Sequence, residues 1–358
     1  MSSVGAVIIG RNEGPRLRGC LESVSRQVAE LGQDPARRVV YVDSRSSDGS
    51  VALAESVGVS TLALGEGRLT AARGRQAGLE LLLQREPDLA FVQFIDGDCL
   101  LEDGWLSAAV QQLENEEKTA GVCGRRTEER RDESRWSALI DIDWDIPPGQ
   151  VPYFGGDVLA RVSAIQSVGG WDTTLIAGEE PELCFRLRAQ GWRIDRLDRR
   201  ATRHDIAMTS LGEYWKRSRR SGHAYAEVGW KHRRGAGRRW LKMAGSILLQ
   251  GLLLPVMVVV GALLWWPIGL VLSLLYLKWG GAMVASCRRR SYGWGISLRY
   301  AAVNLLCRPA GAMGVLRYVV GRGSGRRAKL MEYKAGAGAE PTHSDEGAER
   351  PVAVGGGA

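Results

Sequence analysis

The chain has 358 residues, 45% hydrophobic and 25% charged, with a formal net charge of +8, an ordinary globular balance and enough length for one large domain with an appendage or two modest ones. Six scattered cysteines form no C-x-x-C pair and four histidines complete no zinc spacing, which excludes a zinc module or a disulfide scaffold and points to reduced thiols. The basic residues crowd around one long uncharged run, so anionic lipid rather than nucleic acid is the expected partner.

The opening residues, MSSVGAVIIGRNEG, show no basic leader region, and AVIIG reads as a first strand. The first domain is therefore expected in the cytosol. In PRLRGCLESVSRQV, Leu17, Leu21, Val24 and Val28 recur at helical spacing. RRVVYVD is a second strand, and SVALAESVG a helix closing at Gly58. TLALGE is a short third strand, TAARGRQAGLELLLQ a third helix and LAFVQFID a fourth strand. This alternation predicts an α/β domain over residues 1–230 with a parallel sheet covered on both faces. Such sheets bind ligands at the carboxyl ends of their strands, where Asp43 and Asp96 sit.

Residues 231–290 change character. Lys231, Arg233, Arg234, Arg238, Arg239 and Lys242 precede a run from Met243 to Leu277 with no charged residue. One spanning helix needs about 20 residues, so the run suits two short spans. Trp265, Trp266 and Pro267 supply an interfacial turn, while Lys278 and Arg288, Arg289 and Arg290 follow. The expectation is a transmembrane hairpin of two short spans, or a re-entrant pair, in the inner membrane with both ends cytosolic; a buried soluble helical hairpin is the competing reading. Residues 291–334, apolar with sparse arginines, read as an amphipathic segment on the membrane surface. A third span is the alternative. Residues 335–358 read as a disordered tail.

The chemistry gathers at FIDGDC. On an extended strand, residues i and i+2 face one side, so Asp96 and Asp98 would share a site. Close carboxylates repel unless a cation neutralises them, and Mg²⁺ or Mn²⁺ takes oxygen ligands and bridges to substrate phosphates. Read alone, D-x-D is also plain turn chemistry. Asp43 can accept from a nucleobase N–H or a ribose hydroxyl. Arg73 and Arg75 open a helix where an anion would bind, or lie on a solvated face. In AGEEPELCFRLRAQGW, Pro181 fits the first helical position and Gly191 the stop. Glu180 then stands at a helix N-terminus as a candidate general base, unless the acids there only complement the helix dipole.

Taken together, VIIGRNEGPRLRGCLES, YVDSRSSDGS, FIDGDC, GGDVLARVSAIQSVGGWD and GEEPELCFRLR occur in the order found in the family 2 glycosyltransferases. The chain resembles that family, which implies a GT-A fold, a Rossmann-like nucleotide-sugar transferase domain, followed here by membrane helices. The resemblance implies that Arg11 and Glu13 lie in the nucleotide-contacting first loop and that Asp43 holds the base, commonly uracil. It places Arg73 and Arg75 near the diphosphate and makes Asp96 and Asp98 the D-x-D pair, with the metal on Asp98. Asp157 would belong to the acceptor side. Glu180 stands where the family has the Asp of an E-D pair. With E-E here, Glu179 or Glu180 could act.

His204 could be a third metal ligand, a diphosphate contact or an ordinary core histidine. Arg217 and Arg220 lie where processive relatives carry Q-x-x-R-W, which is absent. The implied activity is inverting transfer from a nucleotide-diphosphate sugar, a UDP-sugar foremost, with Mg²⁺ or Mn²⁺. The acceptor would be lipid-linked or a glycolipid, in cell-envelope or extracellular polysaccharide synthesis. The competing classes are a nucleotidyltransferase-like enzyme on a related scaffold, for which GRNEG is a poor phosphate loop, and a non-catalytic membrane scaffold.

Overall fold

The structure, a computed structural model, describes residues 2–131, 134–234 and 237–324. The tail expected at 335–358 lies outside the described residues. The strands are β1 (Val4–Gly10), β2 (Val39–Asp43), β3 (Ser60–Ala63), β4 (Phe91–Asp96), β5 (Cys99–Leu101), β6 (Thr119–Glu128), β7 (Gly149–Gln150), β8 (Val158–Arg161) and β9 (Arg193–His204). The helices of the first domain are α1 (Arg16–Glu30), α2 (Pro35–Arg38), α3 (Ser50–Ser56), α4 (Ala71–Arg85), α5 (Trp105–Asn115), α6 (Arg135–Trp144), α7 (Val162–Ser167), α8 (Glu179–Ala189) and α9 (Leu211–Lys231). After it come α10 (Arg238–Leu248), a π turn (Leu249–Leu253), α11 (Leu254–Leu264), α12 (Trp266–Arg289), α13 (Trp294–Leu306) and α14 (Arg308–Gly323).

The strands form one sheet in the order β3-β2-β1-β4-β8-β6-β9-β5, with β7 on β9. β1 to β4 are parallel, as the alternation predicts. The second half is mixed, because β8 runs antiparallel to both β4 and β6. Both faces are covered, so β2 is buried at every residue. Val40 and Val42 feed the core under α4, while Val39 and Tyr41 feed the one under α1, the period of two expected of a strand. Leu17, Leu21, Val24 and Val28 are all fully buried. α4 lies close on the sheet because Gly78 meets Val7 and Val42 where a Cβ would collide.

α10, the π turn and α11 make one rod, Arg238–Leu264, and α12 returns beside it. Both helices are long and apolar enough to cross a membrane. Trp265 takes an extended backbone between them, and Pro267 sits at the start of α12, where its missing N–H costs nothing. The Tyr276 hydroxyl donates to the Gln250 carbonyl across the pair at 2.8 Å. Leu263, Leu264, Trp265 and Trp266 at the tip are all more than 60% exposed.

The segment expected on the membrane surface is packed differently. α14 lies along α9, where Gly222 faces the Gly311 backbone and Gly314 faces the Arg219 carbonyl, each without room for a Cβ. Cys287, Tyr292 and Cys307 close a core with Leu139, Ile140, Ile142, Ile206, Met208 and Tyr214. The boundary expected at 230 therefore cuts through a core. Among the described residues, Leu298, Leu306, Met313, Val319 and Val320 stay exposed on the outer faces. An apolar helix face reads alike in sequence whether it meets lipid or protein.

Candidate active site

The parallel register sets Gly10 of β1 beside Asp43 and Ile9 beside Asp96, so both acids end strands on one edge. β4 stops at Asp96 and Gly97–Asp98 form a turn before β5. The strand is thus not extended through Gly97, and the two carboxylates part. Asp96 lies between guanidinium groups, 2.8 Å from Arg75 and 3.3 Å from Arg126. Asp98 is buried, with Oδ2 3.3 Å from His204 Nε2. Behind it, His204 Nδ1 lies 2.6 Å from Glu128 Oε1. Glu13 packs beside Gly97 and pairs with Arg16 at 3.2 Å.

Residues two apart on a helix diverge, and the two arginines of α4 do. Arg75, 3% exposed, reaches inward to Asp96 and to Glu179 at 2.9 Å, its plane over Trp171. Burial opposes its charge, but these carboxylates hold its pKa above the usual value. Arg73 instead donates to the carbonyls of Arg68 and Glu66 and takes no part in the cluster.

α8 begins at Glu179 after Gly178, whose φ of 80° favours glycine. Pro181 is consequently the third helical residue and not the first. Glu180 Oε1 accepts the amides of Phe154 at 2.8 Å and Gly155 at 2.9 Å, and the Cys184 thiol at 3.3 Å. This joins the E-E helix to the F-G-G-D loop. Burial raises the Glu180 carboxyl pKa above its usual value, against the lowering pull of those amides. Asp157 accepts from the Thr202 hydroxyl at 2.6 Å and lies 3.4 Å from Arg126 Nε. Gly156 lies against this cluster: a Cβ there would come 2.9 Å from Asp96 Oδ2 and 3.1 Å from an Arg126 nitrogen, and those side chains would have to shift.

These groups meet at a cleft of about 320 Å³, ample for a sugar. Of the residues singled out from the sequence, Arg75, Asp96, Glu179, Glu180, His204, Arg217 and Arg220 line it. Asp98 and Asp157 stand directly behind, through His204 and Arg126. Arg11, Glu13, Asp43 and Arg73 are not part of this wall. Arg11 is exposed on the β1–α1 loop. Asp43 already accepts from the Tyr41 hydroxyl at 3.0 Å and the Ser46 amide at 2.8 Å.

Sequence reading missed Arg126, Glu128 and Trp144. Arg126 bridges Asp96 and Asp157, donates to the Cys99 thiol at 3.0 Å, and shares the Trp144 ring with Arg217. In GRRTEER these charges resemble a solvated run. The available signal was period two, since Arg126 and Glu128 share one buried face of β6.

The donor set fits a divalent cation. With the His204 proton on Nδ1 and donated to Glu128, Nε2 and Asp98 Oδ2 are two acceptors 3.3 Å apart, an arrangement a cation between them stabilises. Asp98, Cys99 and His204 offer ligand atoms within 4.8 Å of one another. Burial raises the Cys99 thiol pKa, leaving carboxylate and imidazole as the charged and neutral donors suited to Mn²⁺ or Mg²⁺.

A model of glycosyl transferase family 2 matches residues 6–159, and one of glycosyl transferase family group 2 matches residues 91–285. No curated protein sequence matches the chain. Among solved structures, the mannosyltransferase PcManGT from Pyrobaculum calidifontis, in complex with GDP-Man and Mn²⁺, is similar at 16% identity and a TM-score of 0.53. The match covers 88% of this chain and 86% of that one. Glucosyl-3-phosphoglycerate synthase from Mycobacterium tuberculosis, in complex with phosphoglyceric acid, aligns at 18% identity over 63% of this chain and 80% of its own, with a TM-score of 0.45. The sheet is accordingly of GT-A type, and the nucleotidyltransferase and scaffold alternatives give way to a glycosyltransferase. Since the second family model alone spans more than half of the chain, including the helix that carries Glu179 and Glu180, the chain belongs to the family 2 glycosyltransferases.

Proposed function

We propose that this glycosyltransferase is inverting, and that it moves a sugar from a nucleotide-diphosphate donor to a hydroxyl presented at the membrane. The observation that carries the reading is Glu180, lining the cleft with a carboxyl pKa raised by burial and one oxygen fixed by two backbone amides. A base of that kind takes the acceptor proton as its oxygen attacks the anomeric carbon from the face opposite the departing diphosphate, in one displacement. Glu179 is less available as the base, because it is engaged with Arg75 at 2.9 Å. Mg²⁺ or Mn²⁺, held by Asp98 and His204, would supply charge neutralisation at the diphosphate. Arg217 and Arg220, on the cleft wall from α9, add positive charge where negative charge develops.

Arg11, Glu13 and Asp43 extend the donor site along the same strand edge, toward the nucleoside. A UDP-sugar is the first donor to test, and a GDP-sugar the second, since the similar mannosyltransferase was solved with GDP-Man. The exposed apolar hairpin supports an acceptor in the bilayer: a lipid-linked saccharide, a polyprenyl phosphate or a glycolipid. This suits cell-envelope or extracellular polysaccharide synthesis at the inner membrane, with the first domain in the cytosol.

The reading is tested by screening nucleotide sugars against the full chain in lipid nanodiscs, with released nucleoside diphosphate as readout. One donor class should be consumed in a metal-dependent way. Inside-out membrane vesicles should consume it and intact spheroplasts should not. Consumption by spheroplasts alone would place the domain outside the cell, and no turnover with any donor would count against the reading as a whole.

A further inference from the structure

The end of the membrane hairpin is linked by an unbroken series of contacts to the histidine of the metal site. α6 ends at Trp144, where the Asp145 amide donates to the Ile142 carbonyl at 3.3 Å and leaves its second lone pair open to a further donor. Arg290, just after α12, donates through one nitrogen to the carbonyls of Ile142 at 2.8 Å and Asp145 at 3.0 Å. A guanidinium there also suits the negative end of the helix. The Tyr292 hydroxyl donates to Asp145 Oδ2 at 2.9 Å, and the Tyr300 hydroxyl to Asp143 Oδ1 at 2.7 Å. Three residues from the C-terminal helical part thus grip one turn of the catalytic domain.

Trp144 lies in that turn. Its indole Nε1–H donates to Glu128 Oε1 at 3.1 Å, the same oxygen that lies 2.6 Å from His204 Nδ1. The second Glu128 oxygen accepts the Ile206 amide at 3.2 Å. An acceptor on Nδ1 fixes the tautomer and ring plane that turn Nε2 toward Asp98.

We infer that Arg290, assisted by Tyr292 and Tyr300, is a positioning residue for the metal site: by holding the last turn of α6 it sets Trp144, and through Trp144 and Glu128 it sets the orientation of His204. The inference rests on the reading of Asp98 and His204 as metal ligands. It makes the C-terminal helices part of the catalytic apparatus as well as an anchor, and it gives Arg290 a task distinct from that of Arg288 and Arg289, which are exposed.

The test is Mn²⁺ binding to the full chain in nanodiscs, read from the electron paramagnetic resonance of free Mn²⁺ and so independent of turnover. Groups behind a metal ligand typically contribute about 10–100-fold to affinity, so Glu128→Gln should fall in that range, and Arg290→Gln and Trp144→Phe should each weaken binding about tenfold. Arg290→Lys, which can still donate to the carbonyls, should recover most of the loss. The double variant Arg290→Gln/Trp144→Phe should lose little more than Trp144→Phe alone, because both act along one route. Arg290→Gln that melts earlier yet binds Mn²⁺ like the wild type, while Asp98→Asn binds poorly, would overturn the inference and leave the metal site standing. Asp98→Asn that binds like the wild type would overturn both.

Discussion

Asp98→Ala should abolish Mn²⁺-stimulated turnover while leaving the protein folded. The carboxylate is buried at the turn after β4, and its near neighbour is the His204 ring. Its removal takes the one anionic ligand from the pair that fits a cation. Loss of a preorganised electrostatic stabiliser of the leaving group costs at least about 10²-fold in kcat, and loss of the cation itself should cost more. The structural cost is smaller, because the change removes one side chain at a turn of a sheet that has a core on each face. The check pairs released nucleoside diphosphate with a thermal melt. A folded Asp98→Ala protein with undiminished Mn²⁺-dependent activity would remove this residue from the mechanism.

Glu180→Gln should lower kcat by about 10²–10⁴-fold with little change in donor KM, because a general base acts in the transition state. The amide side chain can keep the contacts from Phe154 and Gly155 but cannot take a proton. Glu179→Gln should behave differently. It breaks the 2.9 Å pair with Arg75 and leaves a buried guanidinium under-compensated, so it should reduce stability and donor affinity more than kcat. The pH profile separates the two further. Catalysis needs ionised Glu180, and burial raises its pKa. Activity is then full above that raised value and is lost as pH falls through it, earlier than for an ordinary carboxylate. Glu180→Gln should lack this acid limb, whereas Glu179→Gln should retain it. If Glu179→Gln is the change that removes kcat and the acid limb, the base has been assigned one residue too late.

What the sequence revealed follows from which interactions are local. Leu17, Leu21, Val24 and Val28 identify α1 because helical period and burial coincide, and Asp43 and Asp96 mark strand ends because apolar runs stop there. Glu180 was legible as an acid at a helix start. The direction of each side chain was not. Asp96 and Asp98 sit one residue apart, yet the Gly97 turn sends one to arginines and the other to His204. Arg73 and Arg75 look equivalent in AARGRQAG, and only the helix phase decides which reaches the acids. Glu128 and Trp144 meet directly but were invisible as part of the site, because their link to it is His204, 76 residues beyond Glu128. The docking of α14 on α9 depends on Gly222, Gly311 and Gly314, whose small size reads as nothing until the facing helix is known.

The central claim is a single displacement driven by Glu180, and the configuration of the transferred sugar tests it most directly. The full chain in nanodiscs, given its donor with an α-linked sugar and Mn²⁺, should form a product whose new linkage is β by the anomeric proton coupling in its NMR spectrum. An α linkage in the initial product would mean retention, and would contradict the roles assigned here to Glu180 and to the cleft around it.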